Sequence, residues 1–427
     1  MRILFLNDLW DPRIGSSVRQ MYSQSELLRA DGHETVIVST TPERALVGRA
    51  TVEGCQVVRL HSDYPLRFRA WKSLRNRTLL GALRAFYAEW KPDVVHSHLI
   101  HTHLSYAALT EARAAGAGVV FTAHDSMTYC YQKLDCFHGG AAHDYELRDY
   151  RAQWQKCLPC QRFRYRPGRN AAIAAVLARD VDRFTVVSDE LGNAVRANGI
   201  RVDRTIHNAL RLQQDLPSAQ AVAAFRAKFK LEGKRLIALG GRLHVLKGVV
   251  QLFQMLSVLR DEFPELRLLV LGKEDVYRRE FEAAAQALDV DDLVVPTGWL
   301  DGAELAAAYA ALDVMVSPSI CLETFGLINL EAMEHSKPVV ATTYGGCKEV
   351  VQDQVTGLVA NPFHVREFAE RIATLLRDHE LRAKFGAAGR RRLEEHFTMH
   401  RLHREFLEEY ELAREAAQRR QATAAAT

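Results

Sequence analysis

The sequence predicts an α/β protein made of two doubly wound, Rossmann-like domains. Short apolar runs rich in β-branched residues alternate with longer helical stretches, which is typical of repeated βα units. One series of runs ends near Asn208, a polar segment follows, and a second series begins at Arg235. The runs lack a polar/apolar alternation, as expected of parallel strands that are covered on both faces. A chain of 427 residues is long enough for two such domains.

The predicted strands divide the chain into three parts. The first series comprises residues 3–6, 35–38, 94–96, 119–122 and 184–187, and the second comprises residues 235–239, 267–271, 293–296, 314–318, 338–341 and 357–359. We therefore predict an N-terminal domain at 1–208, a C-terminal domain at 209–399, and a terminal helix and tail at 400–427. Leu402, Phe406 and Tyr410 have helical spacing, so this helix is expected to return to the first domain.

Composition and charge argue against two classes of partner. The net charge is +4, which is too small a bias for a nucleic-acid-binding protein of this length. The apolar run at residues 3–6 is shorter than the core of a signal peptide, and no run approaches the about 18 apolar residues of a membrane span. We therefore expect a cytoplasmic protein that does not bind nucleic acid.

Two cations follow the first strand of the second series. Gly240, Gly241 and Arg242 come directly after this strand, and Lys247 precedes the next predicted helix. Because ligands bind at the carboxyl ends of parallel strands, Arg242 and Lys247 could hold a diphosphate without a metal ion. A solvated basic loop is the alternative interpretation.

A second charged loop follows the strand at 314–318. Backbone NH groups at the start of the helix after this loop would bind an anion. Glu323 could hydrogen-bond a sugar and Glu331 a ribose; the alternatives are a helix-capping role for Glu323 and an ordinary surface position for Glu331. The loop and the start of the helix comprise Glu323, Thr324, Phe325, Gly326 and Leu327.

Together, these two loops resemble the signatures of the family 4 retaining glycosyltransferases, which have the GT-B fold. The similarity extends through residues 317–319, 337–342, 345–349 and 356–359, and in the first domain through residues 92–98, 122–125 and 187–188. The resemblance implies two domains that face each other across a cleft. It further implies a UDP- or GDP-sugar bound to the second domain and a carbohydrate or lipid-linked acceptor bound to the first.

The resemblance also implies roles for individual residues. A GT-B enzyme needs no cofactor for catalysis, because cations and the start of the helix near Gly326 stabilise the charge of the leaving diphosphate. His124 would line the reaction pocket, and a buried structural histidine is the alternative. The implied catalytic residues are His124, Glu323, Lys247 and Arg242, and the implied donor-binding residues are Gly241, Arg242, Lys247, Thr324, Phe325, Gly326, Leu327 and Glu331. The implied role is hexosyl transfer in the synthesis of polysaccharide, glycolipid or glycoconjugate.

The loop after the first strand departs from the family pattern. Members usually carry a glycine pair there, whereas this chain has Gly15 followed by Ser16. Gly15 could still allow a close backbone approach to a ligand. We therefore assign Gly15 and Ser16 to an acceptor or phosphate loop.

An insertion at about 126–166 contains four cysteines. Cys130 and Cys136 are followed by a CxxC pair, Cys157 and Cys160, and four thiolates of this kind suit a tetrahedral structural zinc ion. His138 and His143 are substitute ligands. The alternatives are four unrelated thiols or a redox pair.

A basic stretch between Arg67 and Arg84 is interleaved with apolar residues. This pattern predicts a surface that contacts anionic lipid at the inner face of the plasma membrane, and a solvated helix face is the alternative. The basic residues are Arg67, Arg69, Lys72, Arg75, Arg77 and Arg84, and the apolar residues are Phe68, Trp71, Leu79, Leu80 and Leu83.

Four other functions compete with glycosyl transfer. A non-catalytic GT-B partner subunit, a GT-B nucleotide-sugar epimerase and a GT-B phosphorylase would share the fold, but a phosphorylase would call for a pyridoxal lysine and a longer chain. A nicotinamide dehydrogenase is disfavoured, because the first strand leads to Asn7 and Asp8 and no GxGxxG motif follows.

Overall fold

The computed structural model describes residues 1–12, 15–133 and 149–426, and these residues form two compact units. The first unit contains residues 1–12, 15–133, 149–208 and 399–426, and the second contains Ala209–Thr398. The chain thus passes from the first unit to the second after Asn208 and returns at Met399. None of the helices in the described ranges is both long and apolar enough to cross a membrane.

The first unit is built on an eight-stranded sheet. Its strands are β1 (Arg2–Leu6), β2 (Glu34–Thr41), β3 (Gly48–Val52), β4 (Cys55–His61), β5 (Val94–Ser97), β6 (Gly118–Ala123), β7 (Arg183–Val186) and β8 (Arg204–Thr205). Their order is β3-β4-β2-β1-β5-β6-β7-β8, and only the β3–β4 pair is antiparallel. Every residue of β6 is buried, which explains why the central strands are continuously apolar in sequence.

The described part of the first unit contains seven α-helices before Asn208. They are α1 (Ser16–Ala30), α2 (Arg69–Lys72), α3 (Arg77–Trp90), α4 (Ala107–Ala114), α5 (Trp154–Gln161), α6 (Arg169–Asp180) and α7 (Asp189–Ala197). In α3, Leu79, Leu80 and Leu83 are buried. These three leucines therefore belong to the core, and the prediction that they form part of a lipid-facing surface is wrong. Arg84 is exposed on the same helix and pairs with Glu111 at 2.6 Å.

The second unit is built on a six-stranded parallel sheet. Its strands are β9 (Arg235–Gly240), β10 (Leu266–Leu271), β11 (Val294–Gly298), β12 (Val314–Ser317), β13 (Val339–Thr342) and β14 (Gly357–Ala360). Their order is β11-β10-β9-β12-β13-β14, so the direction of winding reverses between β9 and β12. Open parallel sheets bind ligands at such a switch point, beyond the carboxyl ends of the strands.

Helices cover both faces of this second sheet. They are α8 (Ala219–Lys228), α9 (Val249–Leu259), α10 (Glu274–Glu280), α11 (Glu282–Ala287), α12 (Gly302–Ala311), α13 (Leu327–Glu334), α14 (Cys347–Val350), α15 (Val365–Arg377) and α16 (His379–His396). The apolar positions of α9, including Leu252, Phe253 and Leu256, are fully buried in the core of the unit. This packing fixes the loop that enters α9 from β9.

The last helix, α17 (Met399–Ala426), belongs to the first unit. The hydroxyl group of Tyr410 lies 2.8 Å from Nδ1 of His96 in β5, and Glu409 pairs with Arg183 of β7 at 2.6 Å. A methyl group on Gly118 would lie 2.5 Å from the backbone of Ala413, so glycine allows the helix to pack directly on β6. The C-terminal helix therefore returns to the first domain as predicted, and it continues through the alanine-rich tail.

Candidate active site

The loops that leave β9 and β12 lie on either side of the switch point in the second unit. The NH group of Ile320 donates a hydrogen bond to the carbonyl oxygen of Leu246 at 2.9 Å, which joins the two loops. Gly248 has a φ of +73°, and a Cβ atom at this position would lie 1.9 Å from the carbonyl oxygen of Pro318. Only glycine permits this approach, and the approach brings the neighbouring Lys247 to the second loop.

Lys247 and Glu323 form an ion pair across these loops. The ammonium group of Lys247 donates to Oε2 of Glu323, and the hydroxyl group of Ser319 donates to the same oxygen at 2.9 Å. Burial alone would raise the pKa of Glu323, but the charge and hydrogen bond of Lys247 hold this pKa below its ordinary value. Likewise, burial would lower the pKa of Lys247, and Glu323 outweighs that effect so that the pKa is raised. Both groups are therefore charged at neutral pH.

The loop after β13 supports Glu323 from a third direction. The NH group of Gly346 donates to the carbonyl oxygen of Glu323 at 2.7 Å, and Thr342 Oγ1 donates to the carbonyl oxygen of Ser319 at 2.7 Å. Gly345 has a φ of +79°, and a Cβ atom there would lie 2.0 Å from the carbonyl oxygen of Glu323. The glycine pair at residues 345–346 thus lets the backbone reach the loop that carries the carboxylate.

The start of α13 is not capped by any side chain among the described residues. Gly326 is its N-cap residue and has a φ of +81°, and Phe325 is buried beside it. The helix-capping alternative for Glu323 is therefore excluded. Thr324, Gly326 and Leu327 are partly exposed, so the first NH groups of the helix are available to an anion.

Glu331 and Arg242 are not in contact with this pair. Oε2 of Glu331 accepts a hydrogen bond from the hydroxyl group of Tyr309 in α12 at 2.6 Å, and Tyr309 also stacks on His335 with ring centroids 5.8 Å apart. Arg242 is exposed next to Gly241, and within the described part of the chain it makes no hydrogen bond or ion pair. Its guanidinium group is therefore accessible to a ligand.

In the first unit, His124 forms a hydrogen bond with a second histidine. Nε2 of His124 lies 2.8 Å from Nδ1 of His98, and His124 is partly exposed whereas His98 is buried. Burial lowers the pKa of His124 to about 4, although the charge of Asp125 opposes this shift. Burial and the neighbouring His96 and His124 also lower the pKa of His98 well below its ordinary value. Both imidazoles are therefore neutral at pH 7.

Two residues of this region were not assigned a role from the sequence. His98 was noted only as part of a similar segment, although its position two residues after His96 at a strand end was a visible signal. Asp8 follows β1, and its carboxylate accepts hydrogen bonds from the NH groups of residues 102–104 at 2.7, 3.0 and 2.8 Å. Asp8 thereby fixes the loop that follows His98.

The predicted acceptor or phosphate loop at Gly15 and Ser16 is only partly described by the structure. Gly15 is the N-cap residue of α1 with extended backbone, and a Cβ atom there would meet no atom of the described residues within 4 Å, so packing against those residues does not require glycine. The side chain of Ser16 lies outside the described part of the structure.

Three of the predicted zinc ligands are in the described ranges, and Cys136 is not. Cys130 and Cys157 are buried, whereas Cys160 is exposed. Burial, together with the neighbouring Cys130 and Cys160, raises the pKa of Cys157 to about 11. The three described thiols do not form a group with all ligand atoms within 4.8 Å of one another. His138 and His143 also lie outside the described residues.

Two family models match this chain, one in each half. The glycosyl transferase 4-like domain matches residues 15–209, and the glycosyl transferases group 1 model matches residues 222–392. The chain is 32% identical to the sulfoquinovosyl transferase of Arabidopsis thaliana over 235 residues, which cover 53% of this chain and 44% of that protein. It spans less than half of the length of the first curated relatives that it matches.

Solved structures share the fold over almost the whole chain. Sucrose-phosphate synthase from Thermosynechococcus elongatus matches with a TM-score of 0.73 and 20% identity, covering 99% of both chains. HepE from Anabaena, solved in complex with UDP and glucose, matches with a TM-score of 0.70 and 17% identity, covering 96% of this chain and 98% of that one. These matches confirm the predicted two-domain GT-B fold.

Proposed function

Because this chain belongs to the group 1 glycosyltransferases, we propose that it transfers a hexosyl group from a nucleotide diphosphate sugar to a hydroxyl acceptor with retention of anomeric configuration. The observation that carries this proposal is the Lys247–Glu323 pair at the switch point of the second sheet, beside the start of α13, which none of the described side chains caps. An ammonium group and free NH groups together bind a diphosphate, and a neighbouring carboxylate accepts hydrogen bonds from sugar hydroxyl groups.

The donor-binding residues have distinct roles in the proposal. Lys247, Arg242 and the NH groups at the start of α13 bind the diphosphate, Glu323 hydrogen-bonds the sugar, and Glu331 hydrogen-bonds the ribose. Glu331 is suited to this role because Tyr309 orients its carboxylate. The UDP and glucose in the Anabaena HepE structure support a nucleotide-sugar donor, a UDP- or GDP-sugar, for this chain.

The proposed reaction proceeds on one face of the donor sugar. The acceptor oxygen attacks the anomeric carbon from the side on which the diphosphate departs, the bond between that carbon and the phosphate oxygen breaks, and the acceptor proton passes to a donor phosphate oxygen. Negative charge then develops on the diphosphate, and Lys247 and Arg242 stabilise it. His124 is neutral at pH 7 and contributes hydrogen bonds rather than charge.

Metal ions have no part in the proposed catalytic step. In the proposal, the cations of Lys247 and Arg242 neutralise the diphosphate in place of a divalent ion. Transfer activity should therefore be unchanged by EDTA.

A structural zinc ion bound by Cys130, Cys136, Cys157 and Cys160 is a separate proposal. Elemental analysis of the purified chain tests it, and a metal content that Cys157→Ser leaves unchanged would exclude these ligands.

We propose that the transfer serves the synthesis of a cell-surface polysaccharide, glycolipid or glycoconjugate, at the cytoplasmic side of the membrane. Support comes from the exposed Phe68 and Trp71, which lie among the basic residues of the stretch at 66–77. A lipid-linked acceptor would bring the enzyme to an anionic surface that this stretch contacts. Binding of the chain to vesicles tests this part of the proposal independently of the reaction.

A panel of nucleotide diphosphates and their sugars tests the donor assignment. Because a ligand that binds only the folded state raises the melting temperature, the cognate nucleotide should give the largest shift. The anomeric configuration of the product, measured by NMR, tests retention. Release of the epimerised sugar without an acceptor would instead identify an epimerase, and absence of both binding and turnover would identify a non-catalytic subunit.

A further inference from the structure

Exposed aromatic side chains are concentrated in two short segments of the first unit. Among the described residues, five Phe or Trp side chains are exposed, and four of them lie at 66–77 and 154–164. Phe163 is 77% exposed and Trp154 is 62% exposed, which are the highest values in this group. Leu66 and Leu158 add two exposed leucines to the same segments. Large apolar side chains clustered in this way mark an interaction surface.

The two segments are adjacent although about 80 residues separate them in the sequence. The guanidinium group of Arg166 donates to the carbonyl oxygens of Ala70 and Trp71, at 3.4 Å in both cases. Cys157 of α5 packs in a small apolar cluster with Ala70 and Tyr131. These contacts hold α5 and the short 3₁₀ turn at Arg162–Arg164 beside α2. The exposed aromatic residues therefore belong to one surface, which we call the aromatic–basic surface.

The aromatic–basic surface is strongly cationic. Residues 66–77 and 154–164 contain eight Arg or Lys and no Asp or Glu, and Lys156 pairs with Asp149 just outside the second segment. Four exposed arginines in these segments make no ion pair with any residue in the described ranges: Arg67, Arg77, Arg162 and Arg164. Two of them lie next to exposed rings, because Arg67 is 5.0 Å from the ring of Phe68 and Arg164 is 5.6 Å from the ring of Phe163.

We infer that the segment at 154–164 is the second half of a site that binds an anionic lipid bilayer. Trp154, Leu158 and Phe163 enter the headgroup region, while Arg162 and Arg164 contact lipid phosphates. Exposed aromatic rings beside arginines that have no ion-pair partner among the described residues suit the boundary between lipid headgroups and acyl chains. The inference rests on the membrane contact that the proposed function assigns to residues 66–77, and it extends that contact to a segment outside the predicted basic stretch.

A second copy of the chain is a poorer partner for this surface. In a twofold-symmetric dimer the same patch faces itself, so arginines that lack a partner in the described part of the chain would meet one another, and neither segment contains a carboxylate to compensate. An anionic bilayer supplies the missing negative charge. Each Arg near such a surface contributes about 1 kcal/mol, which is about a fivefold change in binding.

The test is binding of the full chain to phosphatidylcholine vesicles with and without phosphatidylglycerol, at low salt and without donor or acceptor. We expect binding only to the anionic vesicles. Arg162→Gln with Arg164→Gln should weaken binding roughly 25-fold, and Trp154→Ser with Phe163→Ser should weaken it at least about tenfold. Val47→Ser with Leu412→Ser is the matched control, because both side chains are exposed elsewhere in the first unit. Melting curves of all variants should match the unmodified chain.

Three results would overturn the inference. The first is unchanged vesicle binding by the Trp154→Ser, Phe163→Ser variant. The second is equal binding to vesicles with and without phosphatidylglycerol. The third is a dimer, measured by light scattering, that dissociates in this variant, because the surface would then be a subunit interface. Arg67→Gln with Arg77→Gln tests separately the membrane contact that the proposed function assigns to residues 66–77. If this variant alone lost vesicle binding, that contact would stand and the segment at 154–164 would be excluded.

Discussion

The ammonium group of Lys247 donates a hydrogen bond to the carboxylate of Glu323, although 76 residues separate them in the sequence. Each residue follows a different strand of the second sheet, and the two strands are neighbours at the switch point. A cation and an anion that were expected to bind different parts of the donor therefore also bind each other. The pair keeps both side chains charged, as the proposed binding of the diphosphate by Lys247 and of the sugar by Glu323 requires.

Replacement of Lys247 by Met should abolish transfer and destabilise the second unit. If Lys247 stabilises the leaving diphosphate as proposed, removing its charge should lower kcat by about 100- to 1000-fold. Glu323 would remain buried without its partner, at a cost of about 3 kcal/mol in the free energy of unfolding. Urea unfolding and steady-state kinetics measure the two effects. The double variant Lys247→Met, Glu323→Gln is the control, and it should recover stability but not activity.

The Lys247–Glu323 pair also predicts how the stability of the Lys247→Met variant depends on pH. In the unmodified chain the pKa of Glu323 is lowered, so the stability it contributes is present above the ordinary carboxyl pKa and is lost only as the pH falls through the lowered value. In Lys247→Met, burial without the cation should raise the pKa of Glu323. The destabilisation should therefore be largest at neutral pH and smaller near pH 5. A destabilisation that does not depend on pH would contradict this account.

Gly248 should be essential for stability because a larger side chain would collide with Pro318. This steric effect can be separated from the strain of a positive φ by comparison with Gly241. Gly248 and Gly241 both have positive φ, +73° and +92°, but only at Gly248 does a Cβ atom meet another atom, at 1.9 Å from Pro318. Gly248→Ala should therefore lower the free energy of unfolding by more than the strain of a left-handed alanine, whereas Gly241→Ala should lower it only by that strain, about 1–2 kcal/mol. Thermal melts of both variants provide the comparison. Equal losses would mean that the close approach of the loops is unimportant.

The sequence was sufficient to predict the strands of both sheets that position the site, because parallel strands buried on both faces leave continuous apolar runs. It did not predict β3, β4 or the two-residue strand β8. These strands lie at the edges of the first sheet, and β3 alternates between partly buried and exposed residues without an apolar run. Lipid-facing leucines were wrongly predicted in α3 because periodicity identifies an apolar face but does not distinguish a core from a membrane.

Contacts between distant residues were the part of the candidate site that the sequence could not supply. Tyr309 precedes Glu331 by 22 residues on a different helix, and nothing in the spacing indicates that its hydroxyl group bonds the carboxylate. His98 and Asp8 were visible as polar residues after strands, but their partners depend on which strands are neighbours. The identity of charged residues was thus predictable, and their pairing required the order of the strands.

Replacement of Tyr309 by Phe should weaken nucleotide binding while leaving kcat almost unchanged. The hydroxyl group orients Glu331, and the ribose that Glu331 is proposed to bind does not react. Loss of this hydrogen bond should weaken affinity for the nucleotide diphosphate about fivefold, which corresponds to about 1 kcal/mol. Isothermal titration calorimetry measures the change. Tyr277→Phe, at another buried tyrosine of the second unit, is the control and should bind normally; a fall in kcat without a change in affinity would assign Tyr309 a different role.

The burial of His98 and His124 makes the stability of the chain sensitive to acid. The pKa of His124 is lowered to about 4 in the folded chain, whereas an unfolded histidine titrates near 6.5. Between these values the unfolded state binds more protons, so stability should fall as the pH decreases from about 6.5 towards 4, by up to about 1.4 kcal/mol per pH unit for each such histidine. His98→Gln removes one buried imidazole, and its loss of stability on acidification should therefore be smaller.

Urea unfolding at pH 7.5 and pH 5.5 measures this difference, with the exposed His379→Gln as the control that should leave the pH dependence unchanged. Activity provides a second readout, because a glutamine at position 98 can still hydrogen-bond His124. His98→Gln should therefore retain a measurable part of transfer, whereas His124→Ala should lose nearly all of it. If His124→Ala transferred sugar at the normal rate, His124 would be a structural histidine, and its bond to His98 would serve the packing of the first unit alone.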